Sequence, residues 1–195
     1  MGNLNSVKKK ILRLGANAII SSQKKDILNA SKLILPGVGH FKKAMNSLRE
    51  LDLIDCLNEA VIKKGTPVLG ICLGMQLMAT RSEEGDVAGL GWIEGEIVKF
   101  AVEDFLKFKV PHTGWNQIIK IKGSILMRNV PDLSELYFVH SYHWKSESKE
   151  SVLNETEYEY KFASAVEKNN IFGVQYHPEK SHDVGDIILE NFIKI

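Results

Sequence analysis

The chain has 195 residues, 44% of them hydrophobic and 25% charged, a profile that fits a single globular domain over residues 1–195 with room for a substantial core. Lysine plus arginine (25) nearly balances aspartate plus glutamate (24), so no net field argues for a nucleic-acid partner. No apolar run approaches the roughly 20 residues that cross a bilayer, and "MGNLNSVKKKI" lacks the apolar core of a secretory signal; the expectation is a cytoplasmic protein with no membrane attachment.

In "NSVKKKILRLG" Val7, Ile11 and Leu14 recur at helical spacing, with Asn5 or Ser6 to cap the start and Gly15 to end it. "NAIIS" and "KLILPG" then read as short buried strands. Leu48, Leu51, Ile54, Leu57 and Val61 mark a helical stretch that breaks near Leu51 to Asp52 and stops at Gly65. "TPVLGIC" is another buried strand, followed by helical "LGMQLMA". This alternation predicts an α/β fold: a mostly parallel, doubly wound, flavodoxin-like sheet with helices on both faces. Beyond it, "GEIVKF", "WNQIIKIKG", "LYFVHSYHW", "KFASAVEKN" and "IFGVQYHPE" are strand-like with few helical intervals, which predicts an antiparallel extension in the second half; "DVGDIILENFIKI" closes the chain as an amphipathic helix.

The chemistry centres on Gly70-Ile71-Cys72-Leu73-Gly74. Glycines on both sides of a cysteine permit a sharp turn at the carboxyl end of a strand, the thiol counterpart of a nucleophile elbow. At a helix start, unpaired N–H groups favour thiolate over thiol. The alternative is a small buried core residue, and the turn alone does not separate the two. Cys56, inside a helical apolar pattern, reads as core, and two such cysteines make neither a disulfide framework nor a metal-ligand spacing. A nucleophilic cysteine needs a base. In "VQYHPEKS", Pro178 keeps His177 out of the helical region, so its ring can meet Glu179, and a carboxylate beside an imidazole fixes its tautomer. "LILPGVGHF" offers a third element: Pro36 to Gly39 read either as an ordinary loop or as a backbone strip whose N–H groups, with that of Leu73, can face a developing oxyanion.

Taken together, "LPGVGHF", "GICLGMQLM", "GLGWIEGEIVKF", "PHTGWN", "YFVHSYHW" and "FGVQYHPEKS" resemble, in order and over almost the whole chain, the glutaminase subunits of imidazole glycerol phosphate synthase, within the class I glutamine amidotransferases. The resemblance implies that Cys72, His177 and Glu179 hydrolyse glutamine, and it implies Gly37 and Val38, with Leu73, as the residues whose backbone N–H groups hold the oxyanion. It places Gln76 and the strip His140, Ser141 and Tyr142 at the substrate glutamine, and Gly114, Trp115, Asn116 and Lys180 toward a synthase (cyclase) subunit that receives the ammonia. It implies no cofactor and no metal. His40 and His112 are expected to serve structure or the interface, and His143 and His182 packing or surface.

Three departures bear on the partner: Thr113 stands where the family commonly has methionine, Glu94 where it has proline, and "YHW" follows "HS". The family's usual opening strand also has no counterpart here, which predicts a gap or shifted pairing beside "NAIIS" and "KLILPG"; a start assigned at an internal methionine would account for it. Two other readings therefore stand beside histidine biosynthesis: the same glutaminase feeding a sugar amidotransferase of surface-polysaccharide synthesis, or a non-catalytic remnant.

Overall fold

The computed structural model describes residues 3–146 and 148–195. Helix α1 (Leu4–Arg13) buries Val7 and Ile11, and Gly15 follows it with φ of 83°. Its N-cap is Asn3, ahead of the expected Asn5 or Ser6, in the left-handed conformation. "NAIIS" is not a strand: residues 16–23 are irregular, with Ile19 73% and Ile20 44% exposed. A short helix that the periodicity does not announce, α2 (Lys24–Asn29), precedes β1 (Leu33–Gly37).

Helix α3 (Phe41–Glu50) turns Phe41, Met45 and Leu48 into the core. The chain breaks where expected, with Asp52 at φ of 51°, then resumes as α4 (Ile54–Asn58) and a π-helical turn Glu59–Lys63. β2 (Val68–Cys72) is buried throughout. The helix expected after it is only one turn, α5 (Leu73–Gln76).

The remaining strands are β3 (Arg81–Ser82), β4 (Val87–Ala88), β5 (Glu96–Lys99), β6 (His112–Gln117), β7 (Ile119–Lys120), β8 (Glu135–His140), β9 (Tyr142–Lys145), β10 (Val152–Tyr158), β11 (Tyr160–Lys168) and β12 (Ile171–Val174). Helix α6 (His182–Lys194) ends the fold. The main sheet runs β1-β2-β12-β11-β9-β5-β3-β4, with β10 joining β11 to β7, and β6 and β8 form a separate antiparallel ribbon. β1, β2 and β12 run parallel at one end of the main sheet. The antiparallel extension is larger than the parallel part, because β12 returns against β11 and β11 in turn pairs β9 and β10.

Two apolar layers cover these parallel strands. Phe41, Met45, Leu57 and Val61 pack with Val68 on one face; Val7, Ile11, Ile188, Leu189 and Phe192 pack with Leu69 and Ile71 on the other. The period-two alternation of β2 thus sends successive side chains to opposite helical layers. Each large apolar side chain so buried contributes about 1.5–3 kcal/mol relative to exposure. β1 is an edge strand, and a cavity of about 680 Å³ lies beside it, lined by Val7, Ile20, Leu33, Ile34 and Phe192. This is the gap expected next to "KLILPG": among the described residues no strand pairs with the outer edge of β1, so the residues of "NAIIS" have no ladder there to join.

Candidate active site

β1 and β2 finish together, so that Gly37 pairs with Cys72 in the last rung of their ladder. Cys72 has φ 55° and ψ −113°, a conformation rare for a residue with a side chain and one that costs about 1–3 kcal/mol. By strict alternation its side chain would join Val68; the turn instead brings it among Leu69, Ile71 and Tyr176 on the α6 side. Both flanking glycines are required. A Cβ on Gly74 would stand 1.6 Å from the carbonyl oxygen of Leu35, and one on Gly70 2.6 Å from the backbone nitrogen of Met75. The elbow is therefore the close passage of α5 across the ends of β1 and β2.

On the other side of β2, β12 runs parallel and ends at Val174, opposite Ile71, and the chain continues directly into Gln175, Tyr176 and His177. The backbone N–H of His177 donates to the Tyr137 carbonyl at 2.9 Å, and the Ser181 hydroxyl donates to the His177 carbonyl at 2.7 Å. The turn Pro178–Lys180 leads into α6, whose Gly185 lies so close that a Cβ would meet the Pro178 oxygen at 1.9 Å. His177 Nδ1 is 2.8 Å from Glu179 Oε1, and both side chains are essentially sealed, at 1% and 0% exposure. Asn3 donates its side-chain amide to the same carboxylate oxygen, a contact that nothing in the sequence announces.

Burial disfavours a charged imidazole, yet hydrogen bonding and charge attraction from Cys72 and Glu179 outweigh it and raise His177 to about 9. With Nδ1 committed to Glu179, the ring nitrogen left for Cys72 is Nε2, which is buried and otherwise unpartnered. Cys72 itself is 6% exposed. Its Sγ accepts from the Gln175 side-chain amide at 3.7 Å and lies 3.9 Å from the Val139 carbonyl.

Gln76 is buried beside this group, and its Nε2 donates to the Tyr142 carbonyl and to Gln175 Oε1, both at 2.9 Å. Tyr142 thus reaches Gln76 through its backbone. Ser141 is half-buried, while the His140 ring turns away from the pocket into a cluster with Phe100, Phe138 and His112. Leu73 is buried at the start of α5; Val38 is 38% exposed at the free end of the strip, next to Gly39 at φ 109°.

Gly114, Trp115 and Asn116 lie on β6. Trp115, 45% exposed, stacks in parallel on His182 with ring centroids 4.9 Å apart, and Lys180 Nζ sits 5.4 Å above the Tyr137 ring. Tyr137 in turn lies 6.5 Å from the His177 ring, so this surface backs directly onto the site. His40 caps α3, accepting from the Lys42 N–H at 3.2 Å, and His143 is buried with Nε2 2.9 Å from the Tyr160 hydroxyl. Cys56 is buried on α4 with its Sγ 3.7 Å from the Lys24 carbonyl. Among the described residues no three histidine, cysteine, aspartate or glutamate side chains are grouped to hold a metal ion.

A thiol on a strand-to-helix elbow, next to an imidazole that a buried carboxylate orients, can attack a carbonyl carbon and return a proton to the group that leaves; the arrangement defines a cysteine-dependent acyl-transfer domain of α/β type. The chain belongs to the family described as glutamine amidotransferase class-I, whose model matches residues 2–195. It is 51% identical over 195 residues to imidazole glycerol phosphate synthase subunit HisH 2 of Methanococcus maripaludis, covering all of this chain and 95% of that one. It is 47% identical to subunit HisH 1 of Campylobacter jejuni (strain RM1221), again over the whole chain and 96% of the relative. Among solved structures, a putative GMP synthase subunit from Thermoplasma acidophilum superposes with a TM-score of 0.72 at 18% identity, over 99% of this chain and 88% of that one, and shares the fold.

Proposed function

We propose that this protein hydrolyses glutamine to glutamate and ammonia at Cys72, as the cytoplasmic glutaminase half of a heterodimer whose synthase partner uses the ammonia to make imidazole glycerol phosphate in histidine biosynthesis. The observation that carries the chemistry is the buried pairing of His177 with Glu179 beside an elbow cysteine. The full-length identity to HisH subunits supports the choice of acceptor. Among the described residues no helix is long and apolar enough to cross a membrane.

In the first half-reaction the Cys72 thiolate attacks the side-chain amide carbon of glutamine, and the carbonyl π electrons move onto oxygen. Backbone N–H groups of Leu73 and of the Gly37 to Val38 strip stabilise that oxyanion. His177, protonated at Nε2 and held by Glu179, gives its proton to the departing nitrogen, so that ammonia leaves and a glutamyl thioester remains. Neutral His177 then takes a proton from water, whose oxygen attacks the thioester. The second intermediate collapses to glutamate and the Cys72 thiolate, and the imidazolium is restored. Gln76 and the backbone of Ser141 and Tyr142 orient the substrate, and Trp115 and Lys180, with Gly114 and Asn116, offer the surface through which ammonia passes without meeting bulk water.

The same chemistry serving a sugar-modifying synthase is the alternative reading. Its support is Thr113, exposed on β6 where the family commonly has methionine, since interface residues decide which synthase is served. Reconstitution with each candidate synthase decides between them. Glutamate release stimulated by the cyclase and its phosphoribosyl substrate supports histidine biosynthesis; stimulation by the sugar acceptor alone rules it out, and no release with any partner leaves only the non-catalytic remnant.

A further inference from the structure

We propose that Gln175 is a positioning residue for the nucleophile: Gln76 holds its side-chain amide so that the N–H is aimed at Sγ of Cys72. The inference deepens the glutaminase reading and rests on Cys72 being its nucleophile. Six contacts make a hydrogen-bonded chain of two arms that meet at the Tyr142 carbonyl: Asn116 Nδ2 to His112 Nε2 (3.3 Å), His112 Nδ1 to His140 Nε2 (3.1 Å) and His140 Nδ1 to the carbonyl (2.8 Å) on one side, and Gln76 Nε2 to that carbonyl (2.9 Å), Gln76 Nε2 to Gln175 Oε1 (2.9 Å) and Gln175 Nε2 to Cys72 Sγ (3.7 Å) on the other.

The polarity follows from what each atom can do. A carbonyl oxygen only accepts, so the Tyr142 carbonyl requires N–H from His140 Nδ1 on one side and from Gln76 on the other. His140 Nε2 is then a lone pair, and His112 must carry its proton on Nδ1. His112 Nε2 in turn accepts, and it faces the amide of Asn116, whose orientation is fixed independently: Oδ1 of Asn116 accepts from the Gln117 N–H at 2.8 Å and Nδ2 donates to the Glu157 carbonyl at 2.9 Å. At the other end, Gln76 presents N–H to Gln175, so Gln175 presents oxygen to Gln76 and N–H to sulfur. One tautomer of each histidine and one rotamer of each amide satisfy every contact.

The chain is also enclosed. Gln175 is fully buried, and Gln76, His112 and His140 are each at most 6% exposed, so water does not compete for these bonds. A donor aimed at sulfur favours thiolate over thiol. The Gln175 amide is such a donor, facing the sulfur across from the Val139 carbonyl.

The test is the alkylation rate of Cys72 by iodoacetamide at neutral pH, read by peptide mass mapping, with buried Cys56 as internal reference. Gln175→Met deletes the donor in a similar volume and is expected to slow Cys72 about tenfold, the scale of one hydrogen bond to a charged group. Gln175→Glu turns an acceptor toward sulfur and is expected to slow it further. An unchanged rate in Gln175→Met overturns the proposal. Alkylation needs no glutamine: a complex that releases no glutamate but shows the tenfold difference sinks the glutaminase reading and spares this one.

Discussion

Gly37 and Cys72 are the terminal rung of the β1–β2 ladder, so the backbone strip expected to hold an oxyanion ends level with the sulfur expected to create it. What allows this is the crossing of α5 over both strand ends, made possible by Gly74. Gly74→Ala drives a methyl group into the Leu35 carbonyl at 1.6 Å, and only a shift of α5 or β1 relieves it. The expected result is loss of glutaminase activity and destabilisation of about 3 kcal/mol or more in chemical denaturation. Near-native stability with full activity would mean that the elbow is not built as described.

The strain at Cys72 has its own signature. A residue held at φ 55°, ψ −113° stabilises the fold less than glycine does in the same place, by about 1 kcal/mol after the greater freedom of unfolded glycine is allowed for. Cys72→Gly is therefore expected to be more stable than Cys72→Ala, with neither active. Urea unfolding of the two variants side by side checks this; a more stable alanine variant contradicts it.

His177 is expected to titrate near 9 in the folded protein, well above the usual 6.5, through Cys72 and Glu179 and against the effect of burial. A raised value means that the folded state holds the proton more tightly. The resulting stability is fully present below about pH 6.5 and is lost as pH rises from there through 9. Histidine NMR follows the midpoint directly: Glu179→Gln and Cys72→Ser should each lower it. A His177 midpoint that stays put in both variants would disconnect the imidazole from its two neighbours.

The buried pair His112 and His140 predicts the opposite behaviour on the acid side. Burial holds His112 down at about 4 and His140 well below its usual value, with the neighbouring His112 adding to the shift in His140. Lowered values mean that protons bind the unfolded chain preferentially, so stability is lost as pH falls from about 6.5 through 4. For His112 alone the loss is about 3 kcal/mol. Denaturation at pH 7 and pH 4.5 measures it, and His112→Gln should flatten the dependence. Equal acid sensitivity with and without His112 would refute the assignment.

Much of the fold is legible in the residues alone. The α1 and α6 helices, the break at Asp52, and the strands carrying "LILPG" and "VLGIC" follow from apolar period and turn residues, because each is set locally. "NAIIS" misleads because strand propensity needs a neighbouring ladder, and the edge beside β1 supplies none. β10 escapes notice because "VLNETEY" mixes polar residues into its buried positions: Asn154 and Thr156 are fully buried, with Asn154 Nδ2 donating to the Tyr176 hydroxyl and the Thr156 hydroxyl donating to that of Ser164. At the site, Cys72, His177 and Glu179 are readable from their flanking glycines and proline. Gln175 and Asn3 are not, since a lone amide reveals a role only when the chain brings it to a partner more than a hundred positions away. The one overlooked signal is proximity, as Gln175 stands two residues before His177 and directly after the strand that flanks the nucleophile.

Covalent bonding of the Cys72 sulfur to the glutamyl group is the step on which the proposed function stands. The direct measurement is peptide mapping of the complex, quenched in acid while it turns over glutamine. A glutamyl adduct is predicted on the Cys72 peptide, absent in Cys72→Ser, with glutamate release in that variant reduced roughly a thousandfold or more. Steady glutamate release with no adduct on Cys72, or a serine variant that keeps its rate, would contradict it.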